Sequence, residues 1–421
     1  MTPPEMSGPL TGVRGIVLTQ AWAGNWCTSL LGQMGADVIQ VEVRKRIDIW
    51  RGSYDAPIPS QVRGKKPLQQ PWNMGAGYNS ICLNKRCITL DLGTDEGMTI
   101  FKRLVPFADF VAENFSPRVM GNFGIGYEQL KEIKPDIILA SLSGYGHDGP
   151  WANVPAIGGT IEPTAGQSAL LGYAGDQPLN SGQMFPDPIA AMYGVLGIAA
   201  ALRHRDRTGE GQYVDLSMQE ANASIIGDAA MEYVLTGRQR PRMGNRHTTF
   251  APHGIFPAAG EGQWVALACE TEAQWRALSD LAGRGWAADA RFTTLEDRKR
   301  HEDDLEAAIS EWSRETSREE LVAMLLGAGV IAAPVHDAFE VARDEQMLDR
   351  GFLRAVDHPQ TGEWTQATLP VHFSATPAEH FRPAPCQGEH TAEVLEELLG
   401  LSSDEVDALV AAGISGEGPP A

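Results

Sequence analysis

The sequence predicts an α/β protein: a Rossmann-like, doubly wound large domain plus a small α+β domain. Three observations carry that prediction. Short apolar runs alternate with helical segments from residue 12 to residue 235, the pattern of βαβ units feeding a parallel sheet. The texture changes after a polar, Arg-rich stretch at residues 237–251, where turn-bounded strands and closely spaced helices take over. The 421 residues also exceed the roughly 250–300 that a single core serves, so two or three domains are expected.

The elements follow in order. Residues 12–20 read as a short buried strand. Ala23-Gly24-Asn25 turns the chain into a helix through Cys27, Leu30, Leu31 and Met34, and Gly35-Ala36 ends it. Residues 37–42 form the next strand, which makes a β-α-β unit with a right-handed crossover. No G-x-G-x-x-G follows the first strand, so the dinucleotide fingerprint is missing. Residues 43–78 read as a long loop with Arg44, Lys45, Arg46, Arg51, Arg63, Lys65 and Lys66. It is either a solvated basic loop or a local anion site. Asn84-Lys85-Arg86 leads into a strand at 88–92, then a helix at 94–105 and a strand edge at Phe110-Val111. Residues 113–117 are a loop, 127–133 a short helix, 137–142 a buried strand and 143–150 a Gly-rich loop. Loops at the carboxyl ends of parallel strands bind ligands; three such loops stand at Trp22, Val43 and Gly144. After a turn at 208–212 come a strand at 213–217 and a helix at 219–235. The second texture holds a strand at 264–269 and helices at 272–282, 305–312 and 318–328. A strand pair turns near Gly362, a helix spans 393–399, and the residues from Gly416 onward are expected to lack order.

Composition bounds the function. A net charge of −20 leaves no basic stripe for nucleic acid, although a few local Arg and Lys residues suffice for an anionic ligand. Cys27, Cys82, Cys87, Cys269 and Cys386 are odd in number and show no metal-type spacing. Pro3, Pro4 and Glu5 precede any apolar run, which is not a signal peptide. Reduced cysteines, no metal and a cytoplasmic location are expected. No apolar run reaches the roughly 18 residues that span a membrane.

The stretch with most chemical content is Asn180-Ser181-Gly182-Gln183-Met184-Phe185-Pro186-Asp187-Pro188, followed by a small-residue helix to about Arg203. Asp187 between two prolines is placed at a helix N-terminus, either as its cap or as a functional carboxylate.

The order and spacing of several segments resemble the class III CoA-transferase family, the carnitine and bile-acid-inducible (CaiB/BaiF) type that includes formyl-CoA:oxalate CoA-transferase. These are Leu31-Gly32-Gln33-Met34-Gly35-Ala36-Asp37 and on to Glu42, Asn84-Lys85-Arg86, Glu113-Asn114-Phe115, Arg207-Thr208-Gly209-Glu210-Gly211-Gln212 and Gly388-Glu389-His390-Thr391. The resemblance implies an interlocked, ring-shaped homodimer. Each large domain would be discontinuous, residues 1–225 and 340–421, with a small domain at 240–334. It implies Asp187 as nucleophile, forming an aspartyl anhydride and then an aspartyl-CoA thioester. It places CoA contacts on Gln20, Ala21, Trp22 and Ala23, on Leu90, and on Asn114, Phe115 and Ser116. Coenzyme A is then a substrate moiety, with no tightly bound cofactor and no metal. Trp22 stands where the formyl-CoA enzyme has a glutamine, so a site role and a core role are both open. A basic family position falls on Val43, with Arg44 beside it. The glycine lid of the formyl-CoA enzyme is replaced near residues 246–250, where Arg246 and His247 are candidates for a substrate carboxylate. A Tyr-Glu pair of that enzyme falls on Ile157 and Gly158, which argues against oxalate as acceptor. The resemblance points to succinyl-CoA as donor and a hydrophobic or dicarboxylic acid as acceptor.

Three other readings compete. Related 2-methylacyl-CoA racemases pair a histidine with the aspartate, but that histidine falls on Ile157, which moves no proton. An auxiliary subunit of a hetero-oligomeric transferase would have no need of Asp187. An NAD-dependent dehydrogenase would share the fold but lacks the glycines.

Overall fold

The computed structural model describes residues 7–58 and 70–420. Arg63, Lys65 and Lys66 of the basic loop lie outside the described residues. The chain divides into two compact units. The first runs to Gln167, resumes over Asn180–Met231 and closes with the chain from Glu345 on; the second is Ser168–Leu179 with Glu232–Asp344. The sequence reading placed 168–179 in the large domain. Its partners are distant: Gly172 accepts a backbone bond from Gly244.

The first unit is a six-stranded parallel sheet: β1 (Arg14–Leu18), β2 (Asp37–Glu42), β3 (Lys85–Thr89), β4 (Phe110–Glu113), β5 (Ile138–Ser143) and β6 (Tyr213–Ser217). The spatial order is β3-β2-β1-β4-β5-β6, the doubly wound order with its switch point between β1 and β4. Both faces are buried, which explains the near-continuous apolar runs. Successive side chains alternate between faces. Ile16, Leu18, Ile39, Val111 and Leu139 share one core with Val394, Leu395 and Leu409 from the C-terminal helices. Val17, Val38, Ala112, Ala140 and Leu142 share the other with Cys27, Leu31, Ala191, Ile198 and Leu202. Each such Leu, Ile or Val contributes about 1.5–3 kcal/mol on burial.

Two helices define the second face, Ala23–Gln33 and Pro186–Thr208. They pack closely because Gly194 carries no side chain: a Cβ there would lie 2.8 Å from both Cys27 Sγ and Leu142 Cδ2.

β3 starts at Lys85, three residues before the expected strand. Lys85 is 2 % exposed, and its Nζ donates to Asn25 Oδ1 (3.1 Å) and Gln40 Oε1 (3.0 Å). Arg86 donates to both carboxylate oxygens of Asp37. Satisfied polar groups let a polar sequence run inside the sheet. The basic loop is also more structured than expected, with a short helix at Ala76–Ile81. Its Arg51 is buried, forked onto Glu42 at 2.8–3.2 Å, and donates to Asn73 and to the Pro385 carbonyl. The chain expected to lack order from Gly416 on is tied to the sheet at that residue: Gly416 N donates to Thr89 Oγ1 (3.0 Å). A hairpin of β10 (Leu353–His358) and β11 (Gly362–Ala367) completes this unit.

The second unit is an antiparallel sheet of β7 (His253–Pro257), β8 (Trp264–Ala268) and β9 (Ile331–Pro334). The helices Glu272–Ala282, Glu302–Ser313 and Arg318–Gly327 pack on it around Phe256, Leu267, Trp275, Leu278, Trp312 and Leu321. Among the described residues no helix is long and apolar enough to cross a membrane.

Candidate active site

The chain leaves β1 and β4 in opposite directions, which opens a crevice at their carboxyl ends. Asn114, just past β4, clamps the turn past β1. Its Oδ1 accepts the Gln20 N–H (2.7 Å) and its Nδ2 donates to the Gln20 carbonyl (2.8 Å). Glu113 Oε2 accepts the Phe115 N–H (2.7 Å), fixing the next residue; burial pushes the Glu113 carboxyl up to about 7. The crevice is a cavity of about 720 Å³ whose wall includes Gln20, Ala21, Ala23, Asn114, Phe115, Ser116 and Asp187. All three strand-end loops picked out in the sequence reach it: Arg46 and Trp50 come from the second, Ser143 and Gly144 from the third. Ala21 (φ 54°) and Met184 (φ 48°) are non-glycine residues in the left-handed region, and both line this cavity. Such backbone strain collects at functional sites.

Asp187 is not a helix cap. The helix begins two residues earlier than expected, at Pro186 instead of Pro188, with Phe185 as the N-cap and no side-chain cap bond. Proline takes the first helical position, where its missing N–H costs nothing. The carboxylate is therefore left free in the first turn, on the cavity wall. Asp187 Oδ2 is buried and has no hydrogen-bond partner, and Asp187 forms no ion pair among the described residues. Gly158 makes the room: a Cβ there would lie 2.1 Å from Asp187 Oδ2. Burial pushes the Asp187 carboxyl from 3.8 up to about 6, and the backbone N–H groups of Ala23 and of Asp187 itself pull partly the other way. A carboxylate raised this way, in a cleft, with no cation spent on it, is a candidate nucleophile.

The remaining candidates separate. Trp22 is not on the cavity wall; its ring packs edge-on against Trp50 (5.5 Å). Leu90 is 1 % exposed in the core. Neither Val43 nor Arg44 lines the cavity, whereas Arg46 does. The Arg44 guanidinium is turned toward the backbone at Gly416. Lys45 is taken up by Asp91 (2.5 Å). In the second unit Arg246 is paired with Glu306 (2.7 Å) and Asp303, and His247 stacks on Phe250 (4.3 Å). Arg46, Gly158 and Met184 were not singled out as site residues in the sequence. Gly158 had a signal in the Gly158-Gly159 pair beside Ile157; Arg46 is one basic residue among seven in its loop.

Residues 10–391 match the family model described as CoA-transferase family III. The chain belongs to that family. It is an enzyme, a CoA-transferase, and coenzyme A is a moiety of its substrates. It is 32 % identical over 404 residues to succinyl-CoA–D-citramalate CoA-transferase of Chloroflexus aurantiacus, covering 96 % of this chain and 97 % of that one. It is 32 % identical over 397 residues to succinate–glutarate CoA-transferase of Agrobacterium fabrum, covering 94 % and 97 %. A solved CaiB/BaiF family protein from Brucella suis superposes with a TM-score of 0.83 at 32 % identity, covering 93 % of this CoA-transferase and all of that chain.

Proposed function

We propose that this CoA-transferase moves CoA from succinyl-CoA to a carboxylic acid acceptor, with Asp187 as the covalent carrier. The succinyl donor is supported by the relatives named above, and both of their other acids, citramalate and glutarate, are dicarboxylates. The observation that carries the mechanism is the buried, unpartnered Asp187 Oδ2 in the switch-point cavity.

The steps balance without any redox change. An Asp187 oxygen attacks the thioester carbonyl carbon; the C–S bond breaks, giving a mixed anhydride and CoA thiolate. The thiolate attacks Asp187 Cγ and expels the donor carboxylate, leaving an aspartyl-CoA thioester. The acceptor carboxylate attacks Cγ and expels the thiolate again. The thiolate then attacks the acceptor's acyl carbon, which frees Asp187 and yields the new acyl-CoA. The Ala23 N–H facing the carboxylate supports charge developing at that oxygen. Gln20, Ala21, Ala23, Asn114, Phe115 and Ser116 line the groove for the pantetheine arm, and Arg46 offers its charge to a phosphate of CoA. Trp22 acts through Trp50. Ile157 on the cavity wall supplies no proton-transfer group, which favours transfer over racemisation.

The working assembly is an interlocked homodimer. Met192, Leu196, Ile225 and Met231 of the first unit are more than half exposed, an apolar area that a second copy would cover. The five free, buried cysteines support a reducing, cytoplasmic setting. Mass spectrometry after mixing with succinyl-CoA and hydroxylamine tests the central step: a hydroxamate on Asp187 is expected, and trapping elsewhere refutes it. Native mass spectrometry tests the dimer.

A further inference from the structure

We infer that Asp48 is a positioning residue for the transfer: it holds the strained turn past β1 and thereby sets the Ala23 N–H against Asp187. The inference rests on Asp187 being the nucleophile, and it concerns a carboxylate outside the cavity wall.

Asp48 is 4 % exposed and forms no ion pair among the described residues. All of its bonding goes to the site's scaffold. Its Oδ2 accepts the Ala21 N–H (2.9 Å) and the Asn25 side-chain amide (2.9 Å). Its Oδ1 accepts the Trp50 N–H (2.7 Å). Ala21 and Trp50 both line the cavity, so one carboxylate ties two of its walls together. Asn25 passes the tie inward: its Oδ1 accepts from Thr19 Oγ1 (3.0 Å) and from Lys85 Nζ (3.1 Å).

The need for a clamp is visible in the backbone. Ala21 sits at φ 54°, a left-handed conformation that costs an L-residue with a Cβ and persists only where its surroundings over-determine it. Two groups supply that determination. Asn114 grips both polar groups of the Gln20 backbone, and Asp48 grips the Ala21 N–H. Immediately after this turn the helix starts at Ala23, with Trp22 as its N-cap and no side-chain cap bond. The first-turn N–H groups are thus left without a side-chain cap; Ala23 lines the same cavity as Asp187, and its N–H acts to lower that carboxyl. If Ala21 relaxes out of the left-handed region, the direction of that N–H changes. Catalytic alignment tolerates little such movement.

Asp48→Asn is the discriminating variant. An amide keeps one acceptor oxygen, so it serves the Trp50 side or the Ala21–Asn25 side but not both. Expected is at least a 30-fold loss of kcat, with KM for succinyl-CoA within threefold and an unchanged far-UV spectrum. A structural role alone would also lower kcat through misfolding, so the same substitution is made in an Ala21→Gly background. Glycine adopts the left-handed conformation without a clamp. The Asp48→Asn penalty, measured against Ala21→Gly alone, should shrink to below fivefold. A penalty of equal size in both backgrounds overturns the inference, as does Asp48→Asn with kcat within threefold of the parent. Should Asp48→Asn not fold, Ala21→Val leaves Asp48 in place but disfavours the left-handed backbone. It should lose kcat by a similar factor at similar KM, and retained kcat overturns the inference. Hydroxylamine trapping of the parent enzyme reports separately on Asp187, so failure of the nucleophile assignment is distinguishable from failure of this one.

Discussion

Replacing Asp187 by Asn should inactivate the enzyme and, at neutral pH, make it more stable. The magnitude follows from the burial of the carboxylate. Its ordinary value of 3.8 is pushed up to about 6, about two units, and each unit is worth about 1.4 kcal/mol, so ionising it in the fold costs about 3 kcal/mol. The sign follows from proton binding. Between roughly pH 4 and pH 6 the folded state holds this proton more tightly than the unfolded chain. The side chain's contribution to stability therefore falls as pH rises through that window and stays low above it. Asparagine does not titrate. The stability gap between Asp187→Asn and the parent should thus be about 3 kcal/mol at pH 7.5 and shrink to about 1 kcal/mol at pH 4.5. Urea unfolding at both pH values and one fixed protein concentration measures it. A gap that does not change with pH, or a parent more stable than the variant at pH 7.5, refutes the idea that this carboxylate is buried without a cation to balance it. On the proposed route the same titration governs catalysis: the nucleophile must be ionised, so kcat/KM of the parent should fall about tenfold per pH unit below about 6.

Three further outcomes are expected. Gly158→Ala puts a Cβ 2.1 Å from Asp187 Oδ2; the displaced carboxylate should lose about 100-fold in kcat while CoA binding, read by calorimetry, persists. Arg46→Ala removes the one guanidinium on the wall of this cavity among the described residues, and should raise KM for the acyl-CoA about tenfold, with the effect shrinking at high salt. Arg51→Met strands Glu42, which is 7 % exposed, and should cost about 3–5 kcal/mol in urea unfolding.

Much of the site was legible because βαβ units announce themselves. Fully buried parallel strands read as apolar runs, and ligand loops follow from where those runs end; the loops at Trp22, Val43 and Gly144 were found that way, whereas Gln20, Ala23 and Asn114 came from the family resemblance, and these three residues line one cavity. What was illegible depended on distant partners. Lys85 belongs to a strand only because Asn25 and Gln40 await its ammonium group. Residues 168–179 join the second unit through Gly244, some seventy positions on. The family resemblance marked positions but not directions. Leu90 and Trp22 hold marked positions with side chains turned into packing, and the cavity's cation is Arg46 rather than the neighbouring Arg44. Of the two readings of Asp187, the cap failed on a two-residue shift: Pro186, not Pro188, opens the helix.

The distribution of cations singles out Asp187, of the chain's many carboxylates, as the proposed nucleophile. Burial also raises Asp37 and Glu42, but for each the arginines outweigh it: Arg86 and Arg14 hold Asp37 below the usual carboxylate range, and Arg51 does the same for Glu42. Such paired carboxylates have their charge neutralised and their lone pairs occupied, and are poor nucleophiles. For Asp187 the backbone N–H groups of Ala23 and Asp187 offset burial only in part, and no cation does so among the described residues, so its charge stays expensive. On the proposed route both covalent forms, anhydride and thioester, are neutral at this side chain. Acylation therefore removes the burial penalty of about 3 kcal/mol that the free anion carries at pH 7.5. The same desolvation that raises the Asp187 carboxyl tilts the equilibrium toward the acyl-enzyme. An arginine placed beside Asp187 would lower the carboxyl, strengthen the fold and, by the same amount, disfavour the intermediate.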